Sequence, residues 1–109
     1  MALTTLLSAV VATGASVAAD TADADYTHVH VYRSDTTAAS TATILIQVSS
    51  NGTAWYDCAT VTNPTGLSAT TGAGGEAWSI PPATYTRCYV SAWTAGAITA
   101  ICRSERAVT

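Results

Sequence analysis

The segment Tyr26–Tyr32, of sequence YTHVHVY, alternates with a period of two between small β-branched side chains and aromatic or imidazole side chains. This alternation is typical of a β-strand that buries one face and exposes the other. The predicted buried face carries Thr27, Val29 and Val31, and the predicted outer face carries Tyr26, His28, His30 and Tyr32.

The same period recurs along the rest of the chain. In the segment Thr43–Val48, residues Ile44, Ile46 and Val48 fall on one face, and Asn51-Gly52 then predicts a tight hairpin turn. We find no apolar stripe at helical spacing, so the sequence predicts an all-β fold. About seven short strands suggest an antiparallel β-sandwich, either jelly-roll or immunoglobulin-like. Later strands are predicted at Trp55–Val61, Glu76–Ile80 (ended by Pro81-Pro82), Thr86–Trp93 and Ala97–Arg103.

The last two predicted strands are separated by Thr94-Ala95-Gly96, which suits a three-residue hairpin loop. That hairpin would place Cys88 opposite Cys102 on the core face and Arg87 opposite Arg103 on the outer face. Facing like charges destabilise a sheet. Either a partner carboxylate or solvation of splayed side chains would relieve the repulsion.

The composition indicates a surface that is covered by a partner. Only 10% of the 109 residues are charged, the net charge is −3, and the four basic residues are all Arg. This balance argues against nucleic-acid binding. So few charges also give a free monomer little protection against association.

The segment Met1–Ala19 carries no charged side chain, and the first basic residue is Arg33. It therefore lacks the basic start of a secretory signal, and its Thr, Ser and Gly residues argue against a membrane span. We assign residues 1–24 to an N-terminal uncharged arm that adds to a neighbour's sheet edge, and residues 25–109 to the β-sandwich domain.

The chain has three cysteines, and an odd number argues against a disulfide framework. Buried free thiols in a reducing cytosol suit this number better. The cross-strand position of Cys88 and Cys102 leaves a bond between them open.

The sequence predicts no enzyme and no catalytic, cofactor-binding or metal site. It contains no Gly-x-Ser-x-Gly elbow, His-Glu-x-x-His motif or phosphate loop. His28 and His30 could supply two zinc ligands, but no third ligand is evident. The acidic run Asp20, Asp23 and Asp25 lacks the spacing of a calcium loop.

The outer-face side chains suit either a protein interface, because Tyr is enriched in contact patches, or a plain exposed strand face. We expect the tryptophans to fill the core; a sugar-binding aromatic face is the alternative. The candidate interface residues are Tyr26, His28, His30, Tyr32, Arg87 and Arg103, and the aromatic set comprises Trp55, Trp78, Trp93, Tyr56, Tyr85 and Tyr89.

The run Ile46–Trp55, of sequence IQVSSNGTAW, resembles a pattern in small structural proteins of tailed-bacteriophage virions. In that pattern a strand ending in Gln-x-Ser-x-(Asp/Asn)-Gly-x-x-Trp is followed by a second strand. Tyr85–Val90 and Thr94–Thr99 are similar to its second half. The likeness spans residues 26–103 and is greatest to capsid decoration (cement) proteins, whereas the three cysteines and the N-terminal segment depart from it.

The resemblance implies a β-sandwich that binds and stabilises the outer head surface of a virion and is assembled in the host cytoplasm. Its partners would be the major capsid protein or other virion proteins, with no nucleic acid and no membrane. A homo-oligomer is implied, and threefold positions on a head suit a trimer. The alternatives are a carbohydrate-binding or adhesion module of a fibre, and a neck or tail accessory protein.

Overall fold

The computed structural model describes residues 2–68, 70–81 and 83–106. Met1 of the predicted arm, Pro82 of the predicted strand stop, and Ala69 and residues 107–109 of the predicted domain lie outside the described residues. Within the described ranges the chain forms nine strands and no helix. The strands are β1 Ala2–Val10, β2 Gly14–Ala15, β3 Ala19–Asp20, β4 Tyr26–Arg33, β5 Thr41–Ser49, β6 Tyr56–Thr62, β7 Glu76–Ile80, β8 Tyr85–Ala95 and β9 Ile98–Glu105.

The strands form two antiparallel sheets that pack face to face. The first sheet has the order β1-β9-β4-β7, and the second has the order β2-β8-β5-β6 with β3 also paired to β8. The predicted antiparallel β-sandwich is therefore confirmed. Six of the nine strands lie at the predicted segments, and the other three, β1, β2 and β3, come from the N-terminal segment.

The core lies between the sheets and consists of the alternating apolar residues of each strand. The burial of β4 and β5 follows the predicted period of two, with Val29, Val31, Ile44 and Ile46 fully buried. Such burial stabilises the fold by about 1.5–3 kcal/mol for each large side chain. The other buried apolar residues are Leu6, Leu7, Ala19, Ala42, Val48, Val61, Ile80, Cys88, Val90, Ala97, Ile98, Ala100 and Cys102.

The predicted closing hairpin is wrong, because β8 and β9 belong to different sheets. β8 pairs with β5, whereas β9 pairs with β1 and β4. Gly96 lies on the connection with a φ of 100°, and a Cβ there would lie 2.7 Å from the Ser40 Cβ. Cys88 therefore aligns with Ile46 and Cys102 with Val29, and the two cysteines extend into the core from opposite sheets.

The N-terminal segment is part of the sandwich. β1 is the edge strand of the first sheet, and its partners run from Ala2 with Ser104 to Val10 with Ile98. Register shifts after Thr5 let the consecutive residues Leu6 and Leu7 both become buried. Strands β1, β2 and β3 therefore pair within the chain's own two sheets, in the region where the sequence predicts a separate arm over residues 1–24.

β5 and β6 form the predicted hairpin, but its turn is longer than a two-residue loop. Gly52 has a φ of 77°, whereas Asn51 is not in the left-handed region. The Asn51 Oδ1 accepts backbone hydrogen bonds from Thr53 and Ala54, each at 2.9 Å. The Ser49 Oγ accepts one from Gly52 at 2.9 Å. Side-chain acceptors therefore stabilise a wider loop than the Asn-Gly signal predicts.

The hydroxyl of Thr27 is buried without a hydrogen-bond partner in the described part of the chain. We expect Thr27→Val to raise the free energy of unfolding by about 1 kcal/mol, because an unsatisfied buried hydroxyl is removed at nearly constant shape. Urea unfolding measures the change.

Thr86→Val is the matched control, because the Thr86 Oγ1 is equally buried but lies 3.1 Å from the Thr21 Oγ1. Its substitution removes that hydrogen bond and should lower stability by about 1 kcal/mol. A Thr27→Val protein less stable than the wild type would contradict the prediction.

Candidate functional site

The outer face of the first sheet carries most of the predicted interface. Its register aligns His28 with Arg103 on one side and with Ser79 on the other. It aligns His30 with Ile101 and Ala77 in the same way. Tyr26, which is 57% exposed, and Tyr32 continue the same face of β4. Five of the six predicted residues therefore lie together.

A groove of about 340 Å³ runs across this surface, which we call the groove face. Leu3, at its rim, is 65% exposed. Arg103 is the one Arg, Asp or Glu among the lining residues, and its Nη2 donates to the Glu105 carboxylate at 2.6 Å. The groove face is lined by Leu3, His28, Val29, His30, Tyr32, Leu67, Ala77, Ile101 and Arg103.

Contacts within the chain fix the two histidines of the groove face. The His30 Nε2 lies 2.9 Å from the Gly74 carbonyl oxygen, and the His30 ring centroid is 5.1 Å from that of Tyr32. The His28 Nδ1 lies 3.3 Å from the Ser79 Oγ. The described residues contain no group of three His, Cys, Asp or Glu side chains that could hold a metal ion.

The loop between β6 and β7 forms one wall of the groove through Leu67. Gly75 has a φ of 70°, and a Cβ there would collide with the Val31 carbonyl oxygen. The loop thus packs directly on the backbone of β4, which only glycine permits at this position. This contact supports the position of His30 beside Gly74.

Arg87 lies on the outer face of the second sheet, on the opposite side of the sandwich from Arg103. Its predicted position across from Arg103 is therefore wrong, because the two arginines belong to strands of different sheets. The Arg87 Cζ is 4.2 Å from the Trp55 ring centroid and 6.0 Å from that of Tyr89. The Arg87 Nε donates to the Gln47 Oε1 at 2.9 Å.

The hydrogen bonds continue from Gln47, whose Nε2 donates to the Asp57 Oδ1 at 2.8 Å. The register aligns Gln47 with Arg87 on one side and Asp57 on the other, so the three side chains form a row across β8, β5 and β6. We call this group, with the two adjoining aromatic rings, the Arg87 cluster. It comprises Gln47, Trp55, Asp57, Arg87 and Tyr89.

The tryptophans do not fill the core, contrary to prediction. Trp78 is 38% exposed on the edge strand β7, and Trp55 and Trp93 are half-buried. The Trp93 indole packs partly on the core and donates to the Gly96 carbonyl oxygen at 2.7 Å. The interior holds alternating Ile, Val, Ala and Cys residues instead. The three indoles lie on different elements and form no single aromatic platform.

Sequence reasoning missed several residues of both surfaces. The groove face also contains Leu3, Leu67 and Ile101, which are distant from β4 in the sequence. Gln47 and Asp57 reach the Arg87 cluster through strand pairing. The outward positions of β5 contain a usable signal, because Thr43 and Gln47 alternate there with buried residues.

A scan against protein-family models found no matching family, and a search of curated proteins found no significant match. In the described part of the chain, no helix is long and apolar enough to cross a lipid bilayer.

Proposed function

We propose that the chain is a non-enzymatic structural protein of a tailed-bacteriophage virion that binds and stabilises the outer surface of the capsid. The groove face is the observation that carries the proposal, because it is a concave, largely uncharged surface with an exposed leucine at its rim. Surfaces of this kind mark protein-protein interaction sites. The likeness of Ile46–Trp55 to virion structural proteins supports this choice of partner.

The partner proposed for the groove face is an uncharged, apolar projection of the major capsid protein. Arg103 is neutralised by Glu105 within the chain, so no charge of the groove requires a counterion from the partner. Burying a large apolar side chain in the groove contributes about 1.5–3 kcal/mol to binding. Many copies that act together on one shell would raise the overall affinity above that of a single copy.

Homo-oligomer formation is a second part of the proposal. β1 and β7 are the edge strands of the first sheet and flank the groove face on both sides. An edge strand presents backbone donors and acceptors that a neighbouring copy can pair with. A trimer would suit threefold positions on a capsid and would place three groove faces towards the shell.

Capsid binding should depend on the rim of the groove. We expect Leu3→Glu to weaken binding to expanded capsids by at least about tenfold, because a charge would have to be desolvated against an apolar partner. The measurement is cosedimentation of the purified protein with capsids of the same phage that lack this chain.

Val17→Glu is the matched control, because Val17 is 63% exposed, close to the 65% of Leu3, and lies outside the groove. It should bind as the wild type does. If Leu3→Glu also binds normally, the groove face is not the contact. If the wild-type protein does not bind capsids, and immunogold labelling of virions marks the neck or tail, the capsid proposal is wrong.

A further inference from the structure

We infer that the Arg87 cluster, on the outer face of the second sheet, is a binding site for neutral saccharides. This inference does not rest on the proposed function, because the groove face and the Arg87 cluster lie on opposite sides of the sandwich. Both surfaces can therefore be occupied at the same time. A chain attached to a shell by its first sheet would present the second sheet outwards.

The cluster is held in position before any ligand arrives. The Arg87 guanidinium stacks 4.2 Å from the Trp55 ring centroid, while its Nε bonds to Gln47 at 2.9 Å. Gln47 is fixed in turn by its 2.8 Å bond to Asp57. Because these side chains are already ordered, a ligand loses little affinity to side-chain immobilisation.

The polar atoms of the Arg87 cluster that make no hydrogen bond within the described part of the chain match the hydroxyl groups of a sugar. In the part of the chain described, the Arg87 Nη groups make no hydrogen bond, and the second carboxylate oxygen of Asp57 accepts none. The site therefore offers strong donors and a strong acceptor on opposite sides of Gln47, each about one strand spacing from it. A hydroxyl both donates and accepts, so different hydroxyls of one bound oligosaccharide can satisfy the two groups together.

The charges of the cluster favour a neutral ligand. Asp57 carries one negative charge and Arg87 one positive charge, and Gln47 links them. An anionic sugar would gain from Arg87 but would be repelled by Asp57. A neutral sugar can bond to both groups without an unpaired charge being buried.

Aromatic rings border the polar row. Tyr89 lies beside Arg87, with 6.0 Å between its ring centroid and the Arg87 Cζ. Tyr85 lies four residues before Tyr89 on the same face of β8, a separation of about 13 Å along the strand. The apolar faces of sugar rings can pack against such aromatic side chains while their hydroxyls reach the polar row. The spacing suits an oligosaccharide better than a single sugar.

The test is binding of the isolated full chain to an array of neutral oligosaccharides built from glucose, galactose, mannose, rhamnose and N-acetylglucosamine, with sialylated and sulfated glycans on the same array. The tightest neutral probe is then titrated by calorimetry. Arg87→Gln and Trp55→Ala should each weaken its binding by at least about tenfold, as loss of a charge-assisted hydrogen bond or an aromatic contact implies.

Arg106→Gln is the matched control, because Arg106 is an exposed arginine outside both the Arg87 cluster and the groove face, and its substitution should leave sugar binding unchanged. Arg87→Lys keeps the charge but loses the planar fork, so it should also bind weakly, and urea unfolding checks that each variant is folded. Absence of neutral-sugar binding would overturn the inference. Binding confined to acidic glycans, or folded Arg87 and Trp55 variants that bind normally, would overturn it equally. None of these outcomes bears on capsid binding.

Discussion

Leu7→Ala is expected to lower the free energy of unfolding by about 2–5 kcal/mol. Leu7 is 3% exposed and belongs to the core, where it is aligned with Ala100 of β9. Its replacement leaves a cavity between the sheets that neighbouring strands fill only in part. Urea unfolding followed by tryptophan fluorescence measures the change, because the tryptophans lie on both sheets and near their edges.

Leu3→Ala is the control, because Leu3 lies on the same strand with its side chain 65% exposed. Its stability should stay within about 0.5 kcal/mol of the wild type. A separate N-terminal arm would make both substitutions silent. Equal and negligible effects would therefore contradict the placement of β1 within the sandwich.

Alkaline pH is expected to destabilise the fold through two buried thiols. Burial raises the pKa of Cys88 to about 12 and that of Cys102 to about 11, from an ordinary value of 9.0. In the unfolded chain both thiols ionise near pH 9, so the unfolded state releases protons that the folded state retains. Stability is therefore constant below about pH 8.5 and falls as the pH rises towards 11 to 12.

The loss should reach about 2–4 kcal/mol between pH 8 and pH 10.5, since each thiol contributes up to about 1.4 kcal/mol per pH unit in this range. The chain contains no Lys, and the double variant described below separates the two thiols from the five Tyr and from Cys58. Urea unfolding at half-unit pH steps under reducing conditions measures the slope.

The double variant Cys88→Ala, Cys102→Ala lacks both buried thiols and should show a nearly flat stability between pH 8 and pH 10.5. Cys58→Ala is the matched control, because Cys58 is only partly buried and burial raises its pKa without the large displacement of the other two. It should retain the slope of the wild type. A double variant that loses stability as steeply as the wild type would show that other groups cause the alkaline effect.

The central strands could be predicted from sequence because their burial is set by local alternation. β4 and β5 show the period of two without interruption, and β7 occupies the predicted Glu76–Ile80. In β4 and β5 one face is buried at every second residue, whereas Ile80 is the one buried residue of β7. The pattern of side chains alone therefore identifies the strand and its core face.

Strand partners could not be predicted in the same way. Thr86–Trp93 and Ala97–Arg103 look like a hairpin because a glycine-containing loop separates two alternating runs. A hairpin and a crossover between sheets require the same alternation, and the choice depends on distant strands. β1 was missed for another reason: register shifts break its period and bury Leu6 and Leu7 together.

For the candidate site too, the sequence predicts the part that lies on one strand but not the part that several strands assemble. The outer face of β4 was identified correctly, because the side chains of Tyr26, His28, His30 and Tyr32 share one strand. The groove was not, because its other walls come from β1, β9 and the loop after β6. The predicted position of Arg87 is wrong for the same reason as the predicted hairpin. The surface on which Arg87 lies depends on the sheet to which β8 belongs.

The alignment of Ala2 with Ser104 has a consequence for biosynthesis. β9 lies between β1 and β4, so the first sheet lacks one of its two central strands until the ribosome has passed Ser104. Strands β5, β6 and β8 are synthesised earlier and can pair first. Until the first sheet forms, the apolar face of this second sheet is exposed to solvent. A nascent chain stalled before β9 is therefore a natural substrate for chaperones and proteases.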